Sequence, residues 1–196
     1  MIEKAGRKAF SGLLEKIAKP LSSFGLTPNA ATIISLACSL LAAYFISLGK
    51  FKYAIPLFLL SLLFDALDGA IARVSGKGSI FGALLDSTFD KAGEIAVLMS
   101  FYFFDSRLAL PIMLGISGMM LSSYISKHIA AVKKGENAKR PFSYIHTLAS
   151  KAERSVIIVL AMIFPFQAVT LFYIYSALAG ISALHRLAGG KKALEQ

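Results

Sequence analysis

Long apolar runs divide this chain, and they restrict its fold more than any other feature of the sequence. Several of them extend for about 18 to 22 residues, the length that an α-helix needs to cross a bilayer. Hydrophobic residues make up 56% of the 196 residues and charged residues only 16%, a balance too apolar for an ordinary soluble protein. Because a backbone inside lipid must satisfy its own hydrogen bonds, such runs are expected to be helical. The sequence therefore predicts an all-α, polytopic membrane protein.

Six transmembrane helices fit the apolar runs, and an amphipathic surface helix precedes them. The predicted spans are 31–48, 53–73, 81–104, 109–131, 148–164 and 167–187. Within 1–24, apolar residues recur at roughly helical spacing among basic ones, which is typical of a helix lying on a membrane. Pro20 would end or bend that helix, and Asn29 is the expected N-cap of the first span. Residues 1–196 then form a single membrane domain, in which 25–190 is the six-helix core.

The basic residues predict the orientation of these spans. With a cytoplasmic N-terminus, 17 of the 21 Lys and Arg residues fall on the cytoplasmic side, including those in the connection from 131 to 151. Lys50, Lys52 and Arg107 fall on the other side. Positive charge collects on the cytoplasmic side of membrane proteins, so topology and contact with anionic lipids explain the net charge of +10. We expect a multi-pass protein of the cell membrane with no nucleic-acid partner.

Four carboxylates interrupt two of the apolar segments, in the stretch DALDGAIARVSGKGSIFGALLDSTFD from 65 to 90. Asp65 and Asp68 are three residues apart and Asp86 and Asp90 four apart, so on a helix each pair shares one face. A short loop joins the two helices, which therefore run antiparallel and bring the acids to one end, on the cytoplasmic side. Carboxylates in a poorly solvated place repel one another unless a cation lies among them. The pattern predicts a site for hard divalent cations, and two adjacent ions suit phosphoryl transfer.

The same residues resemble the signature of the CDP-alcohol phosphotransferase family, D-x-x-D-G-x-x-A-R followed after eight residues by G-x-x-x-D-x-x-x-D. Every fixed position is matched, by Asp65, Asp68, Gly69, Ala72, Arg73, Gly82, Asp86 and Asp90. The resemblance implies a membrane enzyme that moves a phosphatidyl-type group from a CDP-linked lipid, CDP-diacylglycerol or CDP-archaeol, to a polar alcohol and releases CMP. It also implies that the four aspartates hold two Mg²⁺ or Mn²⁺ ions, and that the protein is a homodimer.

The resemblance further implies roles for individual side chains. Asp90 would also be the general base that takes the proton of the acceptor hydroxyl. The residues that would bind the nucleotide end of the donor are Asn29, Thr32, Gly69, Ala72, Arg73, Ser79 and Gly82. A planar guanidinium suits a diphosphate, and glycines allow close approach of a nucleotide, although close helix packing explains small residues equally well. Glu94 continues the acidic face of Asp86 and Asp90 as an intramembrane acid with no role in the family motif.

A narrower resemblance concerns the acceptor. In the phosphatidylinositol-phosphate synthases of this family and their archaeal ether-lipid counterparts, arginines in stretches like those around Arg154 and Arg186 hold the acceptor's phosphate. The stretch SSYISKHIA resembles their S-Y-x-K-A-R stretch, but Ser126 replaces the lysine and His128 the arginine, and Lys127 would have to compensate. A phosphorylated polar acceptor is therefore favoured, with inositol 1-phosphate first. Snorkelling to the membrane surface is the other explanation of the two arginines.

Two other functions compete with this interpretation. The same acidic motif would serve transfer from a soluble donor such as CDP-inositol to a phosphorylated alcohol. Buried acids also mark the pathways of cation or proton transporters. A transporter, however, is expected to carry its polar groups near the middle of the membrane, whereas these acids lie at one end of their helices, beside Arg73.

Overall fold

A computed structural model of the chain describes residues 2–135 and 151–194, and within these ranges every regular element is a helix. The α-helices of the described residues are α1 Ile2–Ser23, α2 Pro28–Ser47, α3 Phe51–Ser75, α4 Ile80–Phe104, α5 Ala109–Gly135, α6 Lys151–Ile163 and α7 Ala168–Leu194. Short 3-10 helices, Ser106–Leu108 and Pro165–Gln167, precede α5 and α7. The all-α prediction is confirmed. Most of the connection from 131 to 151 lies outside the described residues.

Four segments of the described chain are long and apolar enough to cross a membrane: Pro28–Ser47, Phe51–Ser75, Ser106–Val132 and Pro165–Lys191. They correspond to the first, second, fourth and sixth predicted spans. Helix α4 coincides with the third predicted span but carries the charged side chains of the acidic motif. Helix α6 has 13 residues, and positions 148–150 of the fifth predicted span lie outside the described part of the chain. The six-span arrangement stays a prediction.

At the connection between α1 and α2, the end of α1 agrees with the predicted bounds of 1–24, and the predicted cap of α2 does not hold. Helix α1 continues past Pro20 to Ser23, and the Pro20 carbonyl accepts hydrogen bonds from the Ser23 hydroxyl at 2.7 Å and the Phe24 N–H at 3.0 Å. The prediction that Asn29 caps α2 is wrong, because the Thr27 side chain accepts the capping hydrogen bond from Ala30 N at 3.2 Å. Pro28 decides this start, since its fixed φ suits the first helical position.

The chain divides into two compact units, residues 1–100 and 101–196. In the first unit, α2 and α3 pack along each other and α1 packs on α3. A small apolar core joins α1 to the motif-bearing end of α3, formed by Leu14, Ala18, Ala31, Leu67, Ala70 and Ile71. Helix α3 ends at Gly76, whose φ of +66° is a left-handed conformation that glycine adopts at little cost. The loop that follows leads directly into α4.

In the second unit, α5 and α7 pack closely over a buried aromatic core. The rings of Phe101 and Phe172 meet edge to face with centroids 4.8 Å apart, and Tyr175 is fully buried. Gly115 and Gly118 of α5 allow this approach. A Cβ at Gly115 would lie 2.7 Å from the Tyr175 ring, and one at Gly118 would lie 3.0 Å from the backbone of Ala179. The two helices therefore depend on small residues at their contact, as is common in membranes.

A charged turn separates α4 from α5. Asp105 Oδ1 accepts a hydrogen bond from Arg107 N at 3.0 Å, and Asp105 Oδ2 accepts one from Arg107 Nη2 at 2.7 Å. These hydrogen bonds from Arg107 lower the pKa of the Asp105 carboxyl. The turn is thus held in its charged form at neutral pH.

The close contact of α5 and α7 predicts a cost for a single added methyl group. Gly118→Ala should destabilise the protein by about 1 to 3 kcal/mol, because the backbone of α7 has to move away. Gly180→Ala is the matched control, since a Cβ there meets nothing within 4 Å. Thermal unfolding of the detergent-solubilised variants measures both. An equal melting temperature for the two variants would contradict close packing at Gly118.

Candidate active site

The acidic motif begins near the C-terminal end of α3, where Asp65 is half-buried and Asp68 only 6% exposed. The Thr32 hydroxyl of α2 donates a 2.7 Å hydrogen bond to Asp68 Oδ2. One helical turn further along, the Ser35 hydroxyl donates to the Ser61 carbonyl at 2.8 Å, so α2 and α3 are joined by polar contacts on the same seam. The packing of α2 on α3 therefore provides a donor for the most buried carboxylate of the motif.

The second acidic pair lies on α4. Asp86 and Asp90 are both half-buried. Asp68 lies close enough to Asp65 and to Asp86 for each of these two negative charges to repel its own. Two helices thus contribute carboxylates to one region, as the sequence predicts. Oxygen donors under mutual repulsion have the chemistry that a divalent cation requires.

Lys91 introduces a positive charge at the same place. Its Nζ lies 3.0 Å from Asp90 Oδ2 and 2.9 Å from Glu94 Oε2, and its side chain is only 20% exposed. Glu94, the intramembrane acid to which the motif assigns no role, is thus the second carboxylate on a shared lysine. One cation between two anions leaves this face of α4 with a net negative charge.

The carboxylates do not form a ready-made ligand set. Over residues 2–135 and 151–194, no three His, Cys, Asp or Glu side chains are placed so that they could hold a metal ion as they stand. The donor types fit divalent cations, but coordination by Asp65, Asp68, Asp86 and Asp90 requires their side chains to rearrange. The metal site of the sequence analysis stays a prediction.

Three of the predicted nucleotide-binding residues meet at the N-terminal end of α4. Ser79 Oγ accepts a hydrogen bond from Gly82 N at 2.9 Å, so it caps that helix. A Cβ at Gly82 would lie 2.9 Å from Asn29 Oδ1 and 3.0 Å from Ser79 Oγ. The absence of a side chain at Gly82 therefore lets Asn29 approach α4, and together with the Thr32–Asp68 hydrogen bond it brings the start of α2 to the acidic motif.

Arg73 lies beyond the acids on α3 and is exposed. Its Nε lies 3.7 Å from Glu15 Oε1 of α1, and both side chains are well exposed, so this ion pair contributes little to stability. Gly69 lies beneath Arg73, since a Cβ there would be 3.5 Å from Arg73 Nη1. Ala72 is half-buried beside them. Sequence reasoning missed Glu15, because a partner 58 positions away on another helix leaves no signal in the local pattern.

The predicted acceptor residues belong to the second unit. Lys127 on α5 is exposed, and Arg154 on α6 and Arg186 on α7 are half-buried. Arg186 Nη1 donates to the Ser122 carbonyl at 3.3 Å and also to the Ser126 hydroxyl. Ser126, which stands where the related stretch has a lysine, thus lies against Arg186.

The acidic motif lies on apolar helices, next to the polar start of α2, as a membrane transferase requires. Similarity to known proteins identifies the family. The family model of the CDP-alcohol phosphatidyltransferases matches residues 25–184. This chain belongs to the CDP-alcohol phosphatidyltransferase family and is a transferase of the membrane. The family resemblance seen in the motif is confirmed.

Among its relatives is the archaetidylinositol phosphate synthase of Pyrococcus horikoshii, which is 33% identical over 183 residues, 93% of each chain. The phosphatidylinositol phosphate synthase of Mycobacterium tuberculosis is 33% identical over 132 residues, 64% of this chain and 61% of the relative. A crystal structure of that enzyme (PgsA1) with CDP-DAG bound has a TM-score of 0.70 at 26% identity, covering 89% of this chain and 92% of that one. A second, in complex with manganese and citrate, has a TM-score of 0.71 at 26% identity, covering 90% and 88%.

The hydrogen bond between Thr32 and Asp68 predicts a stability cost when it is removed. Thr32→Val keeps the shape of the side chain but takes the donor from a buried carboxyl, which should cost about 1 to 3 kcal/mol. The control is Thr88→Val on α4, since the Thr88 hydroxyl donates at 2.8 Å to the Leu84 carbonyl four residues earlier in its own helix. Thermal unfolding in detergent compares them. Equal losses would mean that the contact with Asp68 contributes nothing.

The shared lysine on α4 predicts a second effect. Lys91→Met leaves Asp90 and Glu94 without the cation between them, so the protein should lose about 2 kcal/mol of stability or more. Lys52→Met removes an exposed lysine and serves as the control. The measurement is the free energy of unfolding in detergent with a metal chelator present. A Lys91→Met variant as stable as the wild type would contradict the bridging role.

Proposed function

We propose that this protein is a membrane enzyme that transfers a phosphatidyl-type group from a CDP-linked lipid to a phosphorylated polar alcohol, inositol 1-phosphate, and releases CMP. The observation that carries the proposal is the cluster of Asp65, Asp68 and Asp86 beside Thr32, because it combines the carboxylates of the family motif with the start of α2. The similarity to an archaetidylinositol phosphate synthase over 93% of each chain supports the choice of acceptor.

The donor's nucleotide end is assigned to the region where α2, α3 and α4 contribute polar groups. Asn29 and Thr32 would contact the nucleotide, and Gly69, Ala72 and Gly82 leave room for it. Arg73, whose guanidinium is exposed, would bind the diphosphate through two parallel hydrogen bonds. Ser79 keeps its role as the cap of α4 and contributes its hydroxyl to the same surface. The lipid tails stay in the bilayer, which accounts for a site built at the ends of apolar helices.

The acidic residues would hold two divalent cations, Mg²⁺ or Mn²⁺, through Asp65, Asp68, Asp86 and Asp90. When bound, such ions neutralise the charge that develops on the diphosphate. Asp90 takes the proton of the acceptor hydroxyl as a general base. The acceptor oxygen then forms a bond to the phosphorus that carries the lipid, the bond from that phosphorus to the oxygen of CMP breaks, and CMP leaves with the electron pair.

The acceptor's phosphate is assigned to three cationic side chains of the second unit. Lys127, Arg154 and Arg186 provide the positive charge, and Arg186 is held against α5 by Ser122 and Ser126. Guanidinium groups bind phosphate in a planar, bidentate manner, so arginines at two of these positions favour a phosphorylated acceptor over a neutral alcohol. The donor's lipid is diacylglycerol or its archaeal ether-linked counterpart.

The proposed membrane arrangement follows the sequence analysis. Helices α2 to α7 would form six spans of a multi-pass cell-membrane protein, with the acidic end facing the cytoplasm. Helix α1 would lie on the cytoplasmic surface, and its packing on α3 supports a position beside the acids. The functional unit would be a homodimer.

The test of the reaction is CMP release by the purified protein with Mg²⁺ or Mn²⁺, a CDP-linked lipid and a panel of acceptors. We expect release with inositol 1-phosphate, and a loss of about 100-fold or more in Asp90→Asn because the general base is gone. Asp105→Asn makes the same chemical change at an acid outside the motif and should retain activity.

Three other results would change the conclusion. Release with inositol, serine or glycerol 3-phosphate but not with inositol 1-phosphate would replace the acceptor and keep the reaction. Cleavage of CDP-inositol alone would assign a soluble donor. No metal-dependent cleavage of any CDP-alcohol would reject the enzyme and leave ion transport as the function to test.

A further inference from the structure

The contact between Arg186 of α7 and α5 involves Ser126, a residue that binds neither the donor nor the acceptor in the proposed function. Arg186 Nη1 donates to the backbone carbonyl of Ser122 at 3.3 Å and to the hydroxyl of Ser126. Ser122 is only 7% exposed, and Ser126 and Arg186 are half-buried, so the contact is partly shielded from water. Shielded hydrogen bonds to a charged group are stronger than exposed ones.

Ser126 has the hydrogen-bonding capacity that this position requires. Its hydroxyl donates to the Ser122 carbonyl at 3.1 Å and accepts from Arg186 at the same time. A hydroxyl combines one donor with two acceptor lone pairs, whereas a lysine ammonium has only donors. A lysine at this position would bring a second positive charge to the Arg186 guanidinium instead of an acceptor for it.

The neighbours of Ser126 on α5 have other contacts and surroundings. The His128 ring packs edge to face on Tyr124, with centroids 4.8 Å apart. Lys127 is exposed. The chain thus departs from the related S-Y-x-K-A-R stretch at two positions with different results. At one of them an aromatic contact replaces a cation, and at the other a hydroxyl binds the arginine of α7.

We propose that Ser126 is a positioning residue, whose hydroxyl holds the Arg186 guanidinium in the orientation that binds the acceptor's phosphate. This inference rests on the proposed function, since it needs Arg186 to bind that phosphate. A guanidinium has five N–H donors, so the same side chain can contact α5 and an anion together. A side chain held in its binding orientation loses less conformational freedom when the acceptor arrives. Ser126 therefore acts on acceptor affinity and not on the chemical step.

The experiment measures initial rates of CMP release by the full-length protein against the concentration of inositol 1-phosphate, at saturating CDP-lipid and metal. Ser126→Ala should raise the KM for inositol 1-phosphate about tenfold, with kcat and the KM for the CDP-lipid unchanged. Ser126→Thr keeps the hydroxyl and should restore the wild-type KM. Ser117→Ala is the matched control, because the exposed Ser117 also donates to the carbonyl four residues earlier, Met113 O at 2.8 Å.

A double-mutant cycle tests whether the effect passes through Arg186. Arg186→Ala should raise the acceptor KM more than Ser126→Ala does. In the Arg186→Ala background, Ser126→Ala should add nothing further, since the group that it positions is gone. Melting temperatures show whether each variant is folded. If Ser126→Ala and Ser117→Ala lose equal stability and only Ser126→Ala changes the KM, lost stability does not explain the change.

Several outcomes would overturn the inference. These are an acceptor KM in Ser126→Ala equal to that in Ser117→Ala, a fall in kcat instead of a rise in KM, failure of Ser126→Thr to restore the KM, or additive effects in the cycle. An Arg186→Ala variant with a normal acceptor KM would also overturn the inference. The proposed reaction would still hold in that case if the wild type releases CMP. A wild-type protein that releases no CMP with any acceptor would reject the proposed function itself.

Discussion

A carboxyl group inside an apolar helix is costly unless hydrogen-bond donors or cations surround it, and the first unit of this protein depends on meeting that cost. Asp68, at 6% exposure, is the extreme case, and its donor is the Thr32 hydroxyl of the neighbouring helix. This contact requires α2 to lie against the end of α3. It also requires α2 to begin at Pro28, with Thr27 as its cap. Asn29 of α2 approaches α4 at Gly82, and Lys91 supplies a cation to Asp90 of the same helix.

The structure combines stable and labile polar contacts in one region. The Thr32–Asp68 hydrogen bond is buried, and Lys91 lies mostly out of solvent between two acids. Arg73 and Glu15, in contrast, face each other at 3.7 Å with both side chains well exposed. An exposed pair of this kind opens at little cost. In the proposed function, Arg73 is therefore the group beside the acids that exchanges its partner for a phosphate at little cost.

The elements of the fold and the composition of the candidate site could largely be predicted from the sequence, and the contacts between helices could not. Apolar runs and fixed acid spacing are local properties, so they indicated helices and a family motif without a structure. Helix α1 lies within the predicted range of 1–24, although the chain stays helical for three residues after Pro20. The predicted cap of α2 was wrong because threonine and asparagine are both capping residues, and the proline between them decides which one caps. Ser126 and Arg186 are sixty positions apart, and only the rotation of both helices makes them partners.

The glycines of α5 have a consequence for how this enzyme can diversify. A larger residue would meet the buried ring of Tyr175 at Gly115 and the backbone of α7 at Gly118. Larger residues at that contact therefore cost stability, whatever substrate the protein uses. Further along α5, Ser126 and His128 differ from the S-Y-x-K-A-R stretch of the related synthases. Both α5 and α7 are still helical at this level. New substrate preferences are thus expected to arise more readily near Ser126 than at the contact of Gly118 with α7.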